Sequence, residues 1–502
     1  MATSWMQSLS TCYEKTQGEF PGERLLLLTD VDGTIIDMRH MIIQVLWAYD
    51  REHGTKYFDH LQLEDIDVHE NEVDSLLEER KVPKRARKKI LAWYLENRWS
   101  RQAIGEMHRP FEGVLEMIRW FQLQPNTHVG LVTGRPEALR EDTLRSLNEL
   151  GKLYRVQFKD ELLYMNPDGW EHGVQQVKIN GLRHFQEMGY HVFAFIDNEP
   201  ANLKALSKAE PDSGMLMLHA NTIFQSKRTR VPAGTVRGKD YRLTELIPGE
   251  SALPSHVQLA WHGVNDEANL RQFLASDVRW AEVDVILDPA GSELVLRHDS
   301  FENTPVAPGE RWVTLESVLK KIRKHQRGVK LDMKLGNRVL DLTLSMVRKH
   351  RFVDQDIWFN ANVERLKEEG FRRIAGEYPG SILQAPIDFL RPLILATPKK
   401  AHETLEMFAN WGINRFSISW ERPDLLQLFD QMDQWGYEVN IYNVPDLEAF
   451  LQAVLLLPRS VTSDFNFPQW QYFGRGSGQD LDYVTYQIRR AKKRLNRVRT
   501  DD

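Results

Sequence analysis

The chain has one cysteine, Cys12, among its 502 residues. That excludes an intramolecular disulfide framework and fits a reducing compartment. Long apolar runs are missing as well, and none approaches the roughly 18–20 residues that a membrane span needs. The opening residues, MATSWMQSLSTCYEKTQGEF, lack a basic segment followed by an apolar core. No secretory signal is therefore expected, and a cytoplasmic protein is the simplest reading. There is no excess of positive charge either. A formal net charge of −6 gives no overall attraction to nucleic acid. No internal repeat or low-complexity tract is visible. What remains is the composition of a soluble globular protein, in a chain long enough for two domains.

Three short apolar runs, LLLLTD (25–30), VGLVTG (129–134) and HVFAFID (191–197), are separated by helical patterns such as PEALREDTLRSLNELG (136–151). Strands alternating with helices predict a parallel α/β sheet. A charged, mostly helical insert occupies roughly 40–108, with an acidic half (LEDIDVHENEVD) and a basic half (KVPKRARKKI). Blocks of this kind read as solvated helix faces or as a device that steers a charged substrate. The segment 226–255 is rich in Pro, Gly and Lys/Arg without periodicity, and is expected to be a linker.

Strand–helix alternation then resumes, with eight candidate parallel strands beginning near 257, 280, 328, 357, 381, 414, 437 and 460. That number in roughly 210 residues suits a (β/α)8 barrel over 256–475. A ninth run, ELVLRH (293–298), follows its predecessor too closely for a parallel crossover, so it is expected to return antiparallel as a hairpin.

Chemistry concentrates at strand ends. Asp30-Val-Asp32-Gly-Thr34 directly follows the four-leucine strand. A carboxylate there is placed to attack phosphorus and form an aspartyl-phosphate, and a second acid two residues on is placed to protonate the leaving oxygen. Thr133, Gly134 and Arg135 end the second strand and offer a hydroxyl and backbone donors for phosphate oxygens. Lys178 is expected to hold nucleophile and phosphate together, with Lys159 the alternative. Asp197 ends the third strand and is expected to bind Mg²⁺ with Asp30. Its neighbour, Asn198, offers only a neutral amide. These motifs over about 22–225 resemble the haloacid dehalogenase (HAD) superfamily. The insert falls where that superfamily carries its helical cap, and the second acid resembles its phosphatase branch. The resemblance implies a Rossmann-like domain, 1–225, with Asp30, Asp32 and Asp197 at a Mg²⁺ site.

In the second half, Glu282 and Asp284 lie one residue apart in RWAEVDVIL, so they share one face of a strand. Two inward carboxylates repel unless a cation neutralises them. The hairpin turn, centred near Ala290, is expected to lay His298 opposite Glu282. In LDMK the same alternation supplies Asp332 to the cation and Lys334 to a phosphate oxygen. His262 completes the set, and two histidines are placed to divide proton transfer between attacking and departing oxygens. Asn265, Asn360, Asn362 and Trp420 are candidate mouth residues.

The motifs H-G-V-N (262–265), E-V-D (282–284), H-D (298–299), D-M-K (332–334) and T-S-D-F (462–465) resemble the phospholipase-C-like phosphodiesterase barrels. Those include glycerophosphodiester phosphodiesterases and sphingomyelinase D-type enzymes. The run AWHGVNDEANLRQFLAS…AEVDVIL also resembles the menorin family. The resemblance implies a TIM-type barrel using Mg²⁺ or Ca²⁺.

The tail LDYVTYQIRRAKKRLNRVR, within 476–502, reads as a basic amphipathic helix, either docked on the barrel or in contact with an anionic membrane. The combined expectation is a bifunctional phosphoesterase acting on small phosphodiesters and phosphomonoesters. The alternatives are a phosphodiester synthase or transferase, a cyclic-phosphate-forming lyase, and a non-catalytic binding module.

Overall fold

The structure, a computed structural model, describes residues 4–463 apart from 172, 212, 250–251, 308, 335 and 422–423. The C-terminal tail, and Asp464 and Phe465 of the closing motif, lie outside the described residues. The chain divides between Ile247 and Pro248 into two compact units. No helix among the described residues is long and apolar enough to cross a membrane.

The first unit is built on a six-stranded parallel sheet. Its strands are β1 (Arg24–Thr29), β2 (Thr127–Pro136), β3 (Leu163–Asn166), β4 (Tyr190–Asp197), β5 (Leu216–Ala220) and β6 (Val236–Gly238), in the order β3-β2-β1-β4-β5-β6. The leucines of β1 are all buried, as a strand covered on both faces requires. Strand order reverses beside β1, with β2 on one side and β4 on the other. The crevice beyond their carboxyl ends is the place where such sheets accept ligands.

The expected linker is in part a folded element of this unit. It supplies β6, which pairs with β5, and the buried Tyr241, whose hydroxyl donates to the Thr34 carbonyl at 2.8 Å. Trp5 ties down the same stretch by donating to the Asp240 carbonyl at 2.8 Å. A three-residue strand pairing only with β5 carries no apolar run, so its sequence looks like a loop.

Between β1 and β2 the insert forms helices Met38–His53, Val73–Glu79 and Lys84–Asn97. The last buries Ile90 and Tyr94 and turns Lys84, Arg85, Lys88 and Lys89 to solvent.

The second unit is a closed barrel of eight parallel strands: β7 (Gln258–Trp261), β8 (Trp280–Leu287), β11 (Gly328–Met333), β12 (Ile357–Asn360), β13 (Ile382–Pro386), β14 (Arg415–Ser419), β15 (Glu438–Val444) and β16 (Ser460–Ser463). Pairing of β16 with β7 and of β7 with β8 closes it. Two short antiparallel strands, β9 (Leu294–Leu296) and β10 (Val313–Thr314), extend from β8. Inside, Trp280 and Trp358 meet edge to face at 5.6 Å and pack with Ala260 and Ile382. This apolar layer closes one end of the barrel core, as side-chain layers do in such folds.

Candidate active sites

In the first unit, Asp30 follows β1 and its backbone N–H donates to the Ile196 carbonyl on β4 at 2.9 Å. The chain then turns through Gly33 at φ +76°. A Cβ there would lie 2.1 Å from the Asn198 amide nitrogen, so only glycine fits. Lys178, on the helix Val174–Glu187, has no solvent exposure. It donates to Asp30 Oδ1 and to the Val132 carbonyl, and lies 3.2 Å from Asp197 Oδ2. Lys159 is exposed, which leaves Lys178 as the site lysine. Asp197 also accepts hydrogen bonds from Asn202 and from the Glu199 backbone N–H.

One ammonium cannot neutralise two buried carboxylates. Burial pushes the Asp30 carboxyl up to about 7, with Lys178 pulling the other way and Asp197 adding to the rise. Burial also works against the charge on Lys178, but Asp197 and Asp30 outweigh it and raise its pKa.

Arg135 and Asp32 depart from expectation. Arg135 is expected to offer phosphate a backbone donor, but its N–H donates to the Thr133 hydroxyl at 3.2 Å, and its guanidinium is engaged as well. It grips both oxygens of Asp32, with Nε–Oδ2 at 2.8 Å and Nη2–Oδ1 at 2.5 Å, and is itself 1% exposed. Thr143 holds it at 3.1 Å and Trp99 lies beneath it. Asp32 is therefore not an open metal ligand through its carboxylate. Burial would raise its pKa, but the bidentate guanidinium outweighs burial and holds the carboxyl below its usual range. The Asn198 amide N–H donates to the Ile223 carbonyl at 2.8 Å, and the residue lines the cavity above Asp30.

A cavity of about 900 Å³ opens over this group and is lined by Asp30, Asp32, Thr133, Gly134 and Arg135. From the insert come His69, Glu70, Arg98 and Trp99, which sequence reasoning missed. They sit in a polar stretch without periodicity, and nothing local marks them as inward-facing. Burial first, then the charge of Asp32, pushes the Glu70 carboxyl up to about 8.

In the barrel, register places Asp332 beside Asp284 and Lys330 beside Glu282. Alternation turns all four inward. Glu282 and Asp284 are buried, and ligand oxygens of Glu282, Asp284 and Asp332 lie within 4.8 Å of one another. Among the described residues this is the group of three able to share a metal ion. Each carboxylate is held by neutral donors. The Gly263 N–H reaches Glu282 at 2.8 Å, Asn265 reaches Asp284 at 2.6 Å, and Asn360 reaches Asp332 at 2.8 Å. Asn265 also accepts the Asp284 backbone N–H at 2.9 Å, so it positions that carboxylate. Gly263, at φ +65°, makes the turn that brings Asn265 back to β8. Burial pushes Glu282 up to about 7, with Asp284 and Asp332 adding to the rise. Asp284 stays below the usual range because Lys334 outweighs its burial. A buried carboxylate that its neighbours force upward is one that a cation would relieve, so the three fit a divalent metal.

His262 Nε2 lies 3.9 Å from Glu282 Oε2. His298 does not lie opposite Glu282. The hairpin pairs Val285 with Leu296, and Arg297 N–H with the Asp284 carbonyl, which is one residue off the expected register. The His298 ring is 63% exposed and bonds Asp299 at 2.8 Å. Lys334, expected at a phosphate, lies between the acids: it is 2.8 Å from Asp284 Oδ1 and bonded to Asp332. Trp420 follows β14, half-buried, with its backbone N–H donating to Tyr442, and Asn362 is exposed at the start of the helix Val363–Glu377.

Lys330 was missed. It lies on the face that identified Asp332 and Lys334, two residues earlier, so alternation was sufficient to find it. Its ammonium donates to Thr462 Oγ1 at 3.0 Å and lies 4.7 Å over the Trp358 ring. Burial lowers its pKa to about 8.

Comparison with known proteins adds the following. The Menorin N-terminal domain family matches residues 256–368. No curated protein sequence matches the chain. Among solved structures, an Oleispira antarctica phosphodiesterase in complex with the product sn-glycerol-3-phosphate is similar at 19% identity and TM-score 0.34, covering 44% of this chain and 96% of that one. A glycerophosphodiester phosphodiesterase from Agrobacterium tumefaciens is similar at 15% identity and TM-score 0.30, covering 42% of this chain and 97% of that one. A HAD-superfamily hydrolase of subfamily IA from Geobacter sulfurreducens is similar at 13% identity and TM-score 0.29, covering 44% of this chain and 94% of that one.

Proposed function

We propose that the chain carries two phosphoesterase sites: a metal-dependent phosphodiesterase in the barrel and a phosphomonoesterase in the first unit. The observation that supports this most strongly is the trio Glu282, Asp284 and Asp332, gathered at one place, with the first two buried and without enough positive charge nearby to balance the three. Mg²⁺ or Ca²⁺ held there would supply Lewis-acid stabilisation to the oxygens of a glycerophosphodiester or lysophospholipid-like substrate. His262, beside Glu282, moves a proton at a reacting oxygen. His298, on the exposed hairpin arm, is the candidate for the second transfer.

In the first unit Asp30 is the nucleophile. Its oxygen attacks phosphorus, the bond from phosphorus to the alcohol oxygen breaks with that oxygen taking a proton from solvent water, and a second water later cleaves the aspartyl-phosphate to return the free Asp30 carboxylate and inorganic phosphate. An Asp32 that Arg135 keeps ionised suits the second step, in which it accepts a proton from that water. Lys178 screens the approaching phosphate from Asp30 and Asp197. These carboxylates fit a cation less well than the barrel trio, because the lysine against them, Lys178, has no solvent exposure whereas Lys334 is partly exposed, and because Arg135 occupies Asp32.

The test is a screen of phosphodiesters and phosphomonoesters with Mg²⁺, on the intact chain and three variants. Asp30→Asn is expected to abolish monoester hydrolysis and leave diester cleavage unchanged. His262→Ala is expected to slow diester cleavage by about 10²–10⁴-fold and leave monoester hydrolysis unchanged. His298→Ala is expected to act in the same direction as His262→Ala. A variant that keeps its own activity removes that residue from the assignment.

A further inference from the structure

A metal site is defined by its total charge as much as by its ligands. The barrel trio brings three negative charges when ionised. Lys330 lies directly beside Glu282 in strand register, is 3% exposed, and is fixed from two sides by Thr462 and the face of Trp358. Neither of these partners takes up its charge. Arg415, the other cation over Trp358, has its own carboxylate in Glu438 at 2.6 Å. Lys334 differs in being partly exposed and bonded directly to the acids, with its ammonium lying where a metal would compete with it.

From this arrangement we infer that Lys330 is a fixed counter-charge that sets the barrel site for one divalent ion. The inference rests on the metal reading of the trio. Lys330 offsets one of the three negative charges and a divalent ion offsets the other two. Lys334, displaced from the acids, is then free to match the single negative charge of a phosphodiester. The loaded site is neutral, and a neutral site is the arrangement a buried, low-dielectric pocket favours. Without Lys330 the same carboxylates would hold a trivalent ion better than a divalent one. Lys330 is thus a positioning and selectivity residue that touches neither substrate nor ion.

The test uses the full chain and two probes, Ca²⁺ by calorimetry and Tb³⁺ by tryptophan-excited luminescence. Asp284→Asn serves as the control that isolates the barrel site. Lys330→Met, and Lys330→Gln as a second variant that keeps a donor for Thr462, are expected to tighten Tb³⁺ binding by about tenfold or more, and Ca²⁺ binding by less. Lys330→Arg keeps the charge and is expected to retain the wild-type preference. An unchanged Tb³⁺-to-Ca²⁺ preference in both neutral variants, with wild-type binding lost in Asp284→Asn, overturns the inference while the metal site stands. Wild-type binding that Asp284→Asn does not diminish overturns the metal reading, and this inference with it.

Discussion

Glu282→Gln is expected to make the metal-free barrel more stable while slowing phosphodiester cleavage by about a thousandfold or more. Glu282 is 2% exposed, and burial together with Asp284 and Asp332 raises its pKa to about 7. A carboxyl whose folded-state pKa lies above its unfolded value binds more protons in the native state. Its ionisation therefore lowers stability as pH rises from about 4.5 to about 7, and the loss is complete above that. Glutamine keeps an oxygen for the Gly263 N–H but carries no charge to bury. At pH 8 in EDTA the unfolding free energy should rise by about 1–3 kcal/mol, and at pH 4 it should barely change. The same substitution removes a metal ligand, so Mg²⁺ should no longer raise the unfolding midpoint of the variant. A midpoint that falls in EDTA would mean Glu282 is a structural anchor.

Lys178→Met should be the most damaging single change in the first unit. The ammonium has no solvent exposure and is the cation lying against both Asp30 and Asp197. Removing it leaves two buried carboxylates facing each other, a loss of about 3–5 kcal/mol. Amide hydrogen exchange should show β1 and β4 losing protection, and monoester hydrolysis should disappear. Adding Asp30→Asn to Lys178→Met removes one of the stranded charges, so about half of the lost protection should return, with no return of activity. If protection in β1 and β4 is unchanged by Lys178→Met, the buried triad is not what holds these strands.

Much of the fold was legible because strand period and apolar runs report burial directly. The four leucines of β1 and the inward alternation of Glu282 and Asp284 are consequences of side-chain geometry alone. Residues whose partners come from distant segments were harder to read. Arg135 was seen as a phosphate ligand because its partner, Asp32, is 103 positions away. His298 was misplaced because hairpin register depends on turn geometry, and a shift of one residue moves a side chain to the other face. Glu70 reaches the cavity from an insert with no period, where no local pattern distinguishes a lining residue from a solvated one. The segment at 226–255 looked like a linker because β6, only three residues long, has too few positions to show alternation.

The most direct measurement is anomalous diffraction from crystals of the intact chain soaked in Mn²⁺. A peak within bonding distance of Glu282, Asp284 and Asp332, with Lys334 moved off Asp284, is the result expected if these acids hold the catalytic ion. A barrel that shows no peak there, with Lys334 still lodged between Asp284 and Asp332, would contradict it.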